Sequence, residues 1–257
     1  MYSRTYRGGV RLLYIFLGLV LWVGCKTIQR ALPEAFPLGV VVLSFDDGPN
    51  AHEDTTLRLL EVLERHGIRG CFSLLGINAK RHPTLVQRIE AGGHRIINHG
   101  YGETWAILLG EEAFEENLLL GKEAIEGALG AGKGVPLAYR PHGGFYTGGQ
   151  QKQWEGQGYK LAPSSIRIYD AVLSGVDREK AIMRVVEGVE KQGGGIVLLH
   201  DSRDAYSTME AQLGRSPEGA FNRSWVPEAV EEIIVRLQQK GFHLSGVDPF
   251  LVPGVIQ

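Results

Sequence analysis

The pattern that most constrains the fold is an alternation of two kinds of segment. Short apolar, β-rich runs appear at residues 40–45, 70–75, 95–98, 137–139, 159–162, 196–199 and 242–245. Between them lie segments with helical periodicity. Residues 55–66 carry Leu59, Leu60 and Leu63 on one face, and 226–240 place Pro227 at the start of a stripe of Val230, Ile233, Ile234 and Leu237. Residues 84–91, 111–129 and 177–192 also read as helices. The strands are apolar enough to be covered on both faces. Strand and helix in alternation then predict an α/β fold with a parallel sheet closed into a barrel, an open doubly wound sheet being the alternative. No G-x-G-x-x-G follows a strand, so a dinucleotide-binding fold lacks its fingerprint.

A chain of 257 residues at 44% hydrophobic suits one large α/β domain or two small ones, and a single domain of this size can bury a substantial core. The net charge of -2 and the lack of a long basic run exclude nucleic acid as an expected partner. Two cysteines, Cys25 and Cys71, make no disulfide framework or cysteine zinc site. The N-terminus stands apart. Arg4, Arg7 and Arg11 precede the apolar run "LLYIFLGLVLWV", with no acid before Glu34. The run is shorter than the roughly 20 residues of a spanning helix, so residues 1–24 read as a signal peptide or membrane anchor. "VGC" at Cys25 is similar to a bacterial lipoprotein processing site, although Trp22 stands where such sites usually carry Leu. The expected organisation is 1–24 signal or anchor, 25–38 linker and 39–257 catalytic domain. The protein is expected to be exported and tethered to the membrane by the N-terminal segment or by lipid on Cys25, with no obligate protein partner evident.

In parallel barrels, chemistry sits in the loops that follow the C-terminal ends of the strands. Asp46 and Asp47 follow the first strand, His99 the third, Arg140 the fourth, and His200 and Asp201 the sixth. Two adjacent acids at the end of an apolar strand repel and need counter-charge. A metal for one and an arginine for the other supplies it.

The stretches "SFDDGPN", "NHGYGE", "YRPHGG" and "IVLLHD", in this order, resemble the polysaccharide deacetylase family, the NodB-homology domain of carbohydrate esterase family four. The likeness runs over about 39–249 and implies a distorted parallel (β/α)7 barrel. It also implies metal-dependent removal of acetyl groups from N-acetylated sugars of a cell-wall or related glycan, peptidoglycan or chitin-like. The cofactor implied is a divalent metal, zinc first, with manganese or cobalt as alternatives. Hydrolysis of another linear or cyclic amide, or glycan binding without turnover, are the competing readings. On the family pattern Asp47 and His99 bind metal and Asp46 is the general base held by Arg140. His200 is the general acid, Leu198 lines the acetyl pocket and the Gly143 N–H is an oxyanion donor.

The sequence departs from that pattern in several places. Where the family usually has a second histidine four residues after the first, this chain has Glu103. On a helical turn an i,i+4 pair shares a face, so Glu103 is expected as the third metal ligand. Asp, His and Glu would neutralise a divalent cation, which predicts a more basic rate profile or a preference for harder ions such as manganese. Asp170 keeps an acid of the fourth motif but Ala171 replaces the usual tryptophan, and Arg167 sits where another acid is common. Asp170 is expected to orient Arg140 and tune His200. His142 replaces a usual proline and joins Leu198 and Gly143 as a substrate-binding position. Residues 203–225 are long enough to form a wall or lid over the mouth. His94, at a strand start, reads as structural. Cys71 reads as a small buried hydrophobe. Trp105, Trp154 and Trp225 are each a sugar platform or a packing residue.

Overall fold

In the computed structural model the chain is described at residues 28–31, 36–131, 133, 138–203, 219 and 221–245. The expected signal or anchor, Cys25, part of the linker and most of 203–225 lie outside the described residues. Among the described residues no helix is long and apolar enough to cross a membrane.

The main sheet is parallel and its strands fall on the expected runs. They are β2 (Val40–Asp46), β3 (Cys71–Leu74), β4 (Arg95–Asn98), β5 (Ala138–Tyr139), β7 (Lys160–Leu161), β9 (Gly195–His200) and β10 (His243–Leu244). Three further strands were not expected from the sequence. A short strand β8 (Ile166–Arg167) pairs with β9, and β1 (Ile28–Arg30) pairs antiparallel with β6 (Phe145–Thr147), so part of the linker is strand. The strand order is β7-β5-β4-β3-β2-β9-β8. β10 lies beside the start of β2 at Val40 and Val41, on the edge that β3 takes further along at Ser44–Asp46.

The two ends of that order are joined by the short link 162–165, so the sheet must curl until its edges nearly meet. Among the described residues no backbone ladder joins β7 to β8. The result is the expected barrel, distorted by an open seam.

Helices α1 (Thr55–Arg65), α3 (Pro83–Ala91), α4 (Glu111–Leu129), α6 (Arg178–Gln192) and α7 (Val226–Gln239) match the periodic segments. The shorter α2 (Gly76–Arg81) and α5 (Gly148–Gly156) were not expected. α5 begins with a capping box, in which Thr147 Oγ1 accepts from Gln150 N and Gln150 Oε1 from Thr147 N.

Strand residues alternate between two cores. Val41, Leu43 and Phe45 point outward under the helices, beside Leu59, Leu63, Val230 and Ile233. Val42, Cys71, Ile97, Ala138, Ala162 and Ile196 fill the barrel floor. Each buried Val, Leu, Ile or Phe among them contributes about 1.5–3 kcal/mol by leaving water, and each alanine about 0.8 kcal/mol. Cys71 is buried in this floor, as expected. Above it the inward positions turn polar, with Ser44, Asp46, Ser73, Arg140 and His200 at the mouth. His94 takes its structural role at the opposite end, its Nδ1 accepting from Gly70 N at 3.0 Å. Burial, with the nearby Arg69 charge, lowers it to about 4.

Candidate active site

Adjacent strand residues face opposite sides, so two neighbouring acids cannot both enter the mouth while the strand continues. β2 ends at Asp46, and Asp47 leaves the strand conformation at φ 71. That left-handed turn brings its carboxylate round beside its neighbour. Asn78 Nδ2 holds the Asp47 carbonyl at 2.8 Å.

Asp46 is buried and its Oδ1 is bound by Arg140 Nη1. The same nitrogen donates to Ser44 Oγ at 2.7 Å. Arg140 Nε and Nη2 donate to the carbonyls of Ala162 and Pro163, both at 3.1 Å, so the guanidinium ties the chain leaving β7 to the end of β2 from inside the barrel. Burial opposes ionisation of Asp46. The charge of Arg140, aided by His99 and His200, outweighs it and holds the carboxyl below its ordinary value.

Asp47 Oδ1 lies 3.4 Å from His99 Nε2 and 3.4 Å from His142 Nε2. These contacts are not well-directed hydrogen bonds, and the buried oxygen has no other within the protein. The three side chains offer ligand atoms all within 4.8 Å of one another. His99 Nδ1 stands 2.7 Å from the Arg140 backbone carbonyl, which only accepts, so that nitrogen carries the proton and Nε2 presents its lone pair. Converging lone pairs in a buried site are costly without a cation between them. One carboxylate and two imidazoles are a donor set that suits zinc and related divalent ions. The residues therefore fit the metal that the sequence called for. Burial disfavours the charged form of Asp47, but its polar contacts to His142 and His99 outweigh this and hold it well below the usual range.

The candidate donor group differs from the expected set at its third member. Glu103 is not in the group, and His142 is. The i,i+4 argument required a helical turn, whereas 99–105 is a bent, non-helical loop with Gly100 at φ 87. Backbone bonds from Gly76 N to Gly100 O and from Ile77 N to Tyr101 O hold that loop against α2. With two histidines the set leaves a net positive charge on the ion, so the expected basic profile and preference for harder ions lose their basis. His142 meets His99 edge-to-face, ring centres 5.1 Å apart.

His200 lies opposite Asp46 in the β2–β9 ladder. Its Nδ1 is 2.8 Å from Asp170 Oδ1, and Asp170 Oδ2 accepts from the His200 backbone N at 2.8 Å. Burial alone would lower His200. The Asp170 charge and hydrogen bond, with Asp47 and Asp46 beyond, push it up to about 9. Asp170, which the sequence led us to expect beside Arg140, makes no hydrogen bond or ion pair with it. Its second partner is Arg223, whose Nη2 donates to Oδ2 at 2.5 Å. Arg223 is fully buried, donates also to the carbonyls of His200, Asp170 and Leu173, and packs over the Trp225 ring at 4.7 Å. Nothing local in the sequence marked it, since it belongs to the aperiodic stretch 203–225. Asp201, next to His200, is pushed up to about 7 by burial, and accepts from Thr56 Oγ1 at 2.5 Å.

Leu198 sits one inward position below His200 and is nearly buried. Gly143 adopts φ 78, and a Cβ there would collide with the Trp105 ring. Trp105 is 49% exposed at the rim, whereas Trp154 and Trp225 are packed.

A carboxylate and an imidazole, each pre-set in charge beside donors for one cation, define a hydrolytic site of the metal-assisted kind on a curled parallel sheet. Comparison with known proteins gives the family. Residues 34–162 match the family model for polysaccharide deacetylase, and the chain belongs to that family, whose members are metal-dependent hydrolases. A peptidoglycan-N-acetylglucosamine deacetylase of Bacillus cereus is 26% identical over 82% of this chain and 88% of its own length. A chitooligosaccharide deacetylase of Rhizobium leguminosarum bv. trifolii is 32% identical over 63% of this chain and 71% of its own. Among solved structures, a peptidoglycan N-acetylglucosamine deacetylase superposes with a TM-score of 0.66 at 25% identity, covering 84% of this chain and 90% of the other. A family 4 carbohydrate esterase from Streptomyces lividans shares the fold, with a TM-score of 0.60 over 82% and 94% of the two chains.

Proposed function

We propose that this protein removes acetyl groups from N-acetylated sugars of a cell-wall glycan, peptidoglycan or a chitin-like chain. Asp47, His99 and His142 would hold a divalent ion, zinc first. When bound, that ion supplies a Lewis acid that polarises the acetyl carbonyl and makes water more acidic. Asp46, kept ionised by Arg140, takes a proton from the attacking water on Oδ2, the oxygen not bound to Arg140. His200, kept protonated by Asp170, gives its Nε2 proton to the departing nitrogen as the C–N bond breaks. The products are acetate and a free amine. The Gly143 N–H faces the developing oxyanion and Leu198 walls the acetyl methyl group.

The observation that carries this reading is the opposed charge setting of two facing residues. Asp46 is held ionised and His200 protonated, directly across the β2–β9 ladder. Binding alone needs no such base and acid pair. Acetate release from N-acetylglucosamine oligomers and from purified peptidoglycan tests it, with Asp46→Asn alongside. Release that the variant abolishes is expected; no release from either polymer by metal-loaded protein refutes it. Export and tethering belong to the same proposal, supported by the basic start and apolar run of 1–24. Cell fractionation of the full chain and of Cys25→Ser checks them.

A further inference from the structure

We infer that Arg167, with Arg30 beside it, forms an anion-recognising wall of the sugar groove, so that the preferred substrate carries a carboxylate or phosphate close to the acetamido group. This rests on the deacetylase reading and narrows its substrate class. Arg167 pairs with Leu198 in the β8–β9 ladder and so shares its inward face, one position below His200. Its guanidinium lies against Gly144, where a Cβ would collide with it, and Gly144 follows His142 and Gly143 in the wall of the donor site. Two of its nitrogens are pinned by neutral acceptors: Nε donates to Ser164 Oγ at 2.8 Å and Nη2 to the Ala31 carbonyl at 3.2 Å. The structure gives Nη1 no hydrogen bond to a described residue, and no carboxylate among the described residues forms an ion pair with this side chain.

The nearest charges make the case stronger. Burial, and then the like charge of Arg140, depress Arg167 to about 10, with Arg30 adding to the repulsion, so it stays cationic but poorly compensated. Asp46 offers partial relief, but its carboxylate is bound to Arg140. Arg30 is exposed on β1 and stands over the Phe145 ring at 5.6 Å, next to Gly144. A tie for the barrel edge would need only the two hydrogen bonds, which a neutral side chain can make. A half-buried guanidinium with no counter-ion among the described residues is costly unless a ligand supplies one. A guanidinium nitrogen left without a partner there is matched by carboxylate or phosphate oxygens.

The test compares acetylated glycans in two pairs, each pair matched but for an anionic group. One is a peptidoglycan disaccharide bearing the ether-linked carboxylate of muramic acid. The second is the same disaccharide with that carboxyl reduced to an alcohol, the third a neutral N-acetylglucosamine oligomer, and the fourth that oligomer bearing a phosphate ester. Arg167→Gln should lower kcat/KM on the preferred anionic substrate by about tenfold or more, mainly through KM, as loss of a charged hydrogen bond predicts. Arg30→Gln, at an exposed position, should lower it by about threefold, and neutral substrates should change by less than about twofold in both variants. The carboxylate and phosphate arms identify which anion is read. Equal losses on charged and neutral substrates, or a wild-type protein indifferent to charge, would overturn the inference while leaving deacetylation intact. If no substrate releases acetate, the deacetylase reading fails. Calorimetric binding of the same four glycans then decides the anion preference by itself, with charge-independent affinity refuting it.

Discussion

Replacing His142 by alanine separates the donor set found here from the one the sequence pattern suggested. The wild-type group brings three ligand atoms within 4.8 Å of one another. Removing His142 leaves Asp47 and His99, fewer than the three protein ligands usual in a catalytic zinc site. Loss of a residue that only supports a ligand weakens metal binding by about 10–100-fold. Loss of a direct ligand should exceed that, so the expected penalty is at least about 100-fold. At a free zinc concentration about 100 times the wild-type Kd, the ion stabilises the native protein by about 2.7 kcal/mol, and a 100-fold weaker variant by about 0.4 kcal/mol. For a domain of this size the metal-induced rise in Tm should be about 5–10 °C in the wild type and about 1 °C in His142→Ala. Glu103→Ala should keep the full rise. Thermal scans with and without zinc, backed by competition with a chromophoric chelator, read this directly. A full rise in His142→Ala with its loss in Glu103→Ala would refute the assignment and restore the glutamate.

Three further outcomes follow from the buried charges. Arg140→Met leaves Asp46 uncompensated and two carbonyls unpaired, and should lower unfolding free energy by about 3–5 kcal/mol in urea titrations. Asp170→Asn removes the charge that keeps His200 protonated and leaves one acceptor oxygen in place of two; the His200 titration followed by NMR should move down from about 9, and acetate release should drop by about 10²-fold or more. In metal-free protein, His200 is raised above its ordinary value of 6.5, so its stabilisation is fully present below that pH and is lost as pH rises through about 9. The loss is on the order of 3 kcal/mol, counted once for the His200–Asp170 pair, and chelator-treated protein should show it in denaturant melts between pH 6 and 10.

The parts of the fold legible in the sequence were those set by strong local patterns. Buried parallel strands read as apolar runs, and α1, α6 and α7 as periodic stripes, because burial on both faces or on one face leaves different spacings. Strand β8 is only two residues long and includes Arg167, so no period marks it. The β1–β6 pair depends on a partner more than a hundred residues away. At the site, the acid pair, His99, Arg140 and His200 were visible because each follows a strand. Glu103 stands outside the candidate donor group because i,i+4 spacing brings side chains together only on a helix, and 99–105 is a bent loop. His142 looked like a substituted proline, since nothing in a linear pattern shows that its ring folds back on His99. Arg223 reaches Asp170 only through tertiary contact.

The open seam beside Arg140 has a bearing on how related chains are judged. Its guanidinium ties Ala162 and Pro163, where the chain leaves β7 toward that seam, to Ser44 and Asp46 of β2. A descendant that abandoned chemistry would still gain from that tie. Arginine at this place therefore testifies to an intact barrel, and the carboxylate it grips is the better witness to turnover.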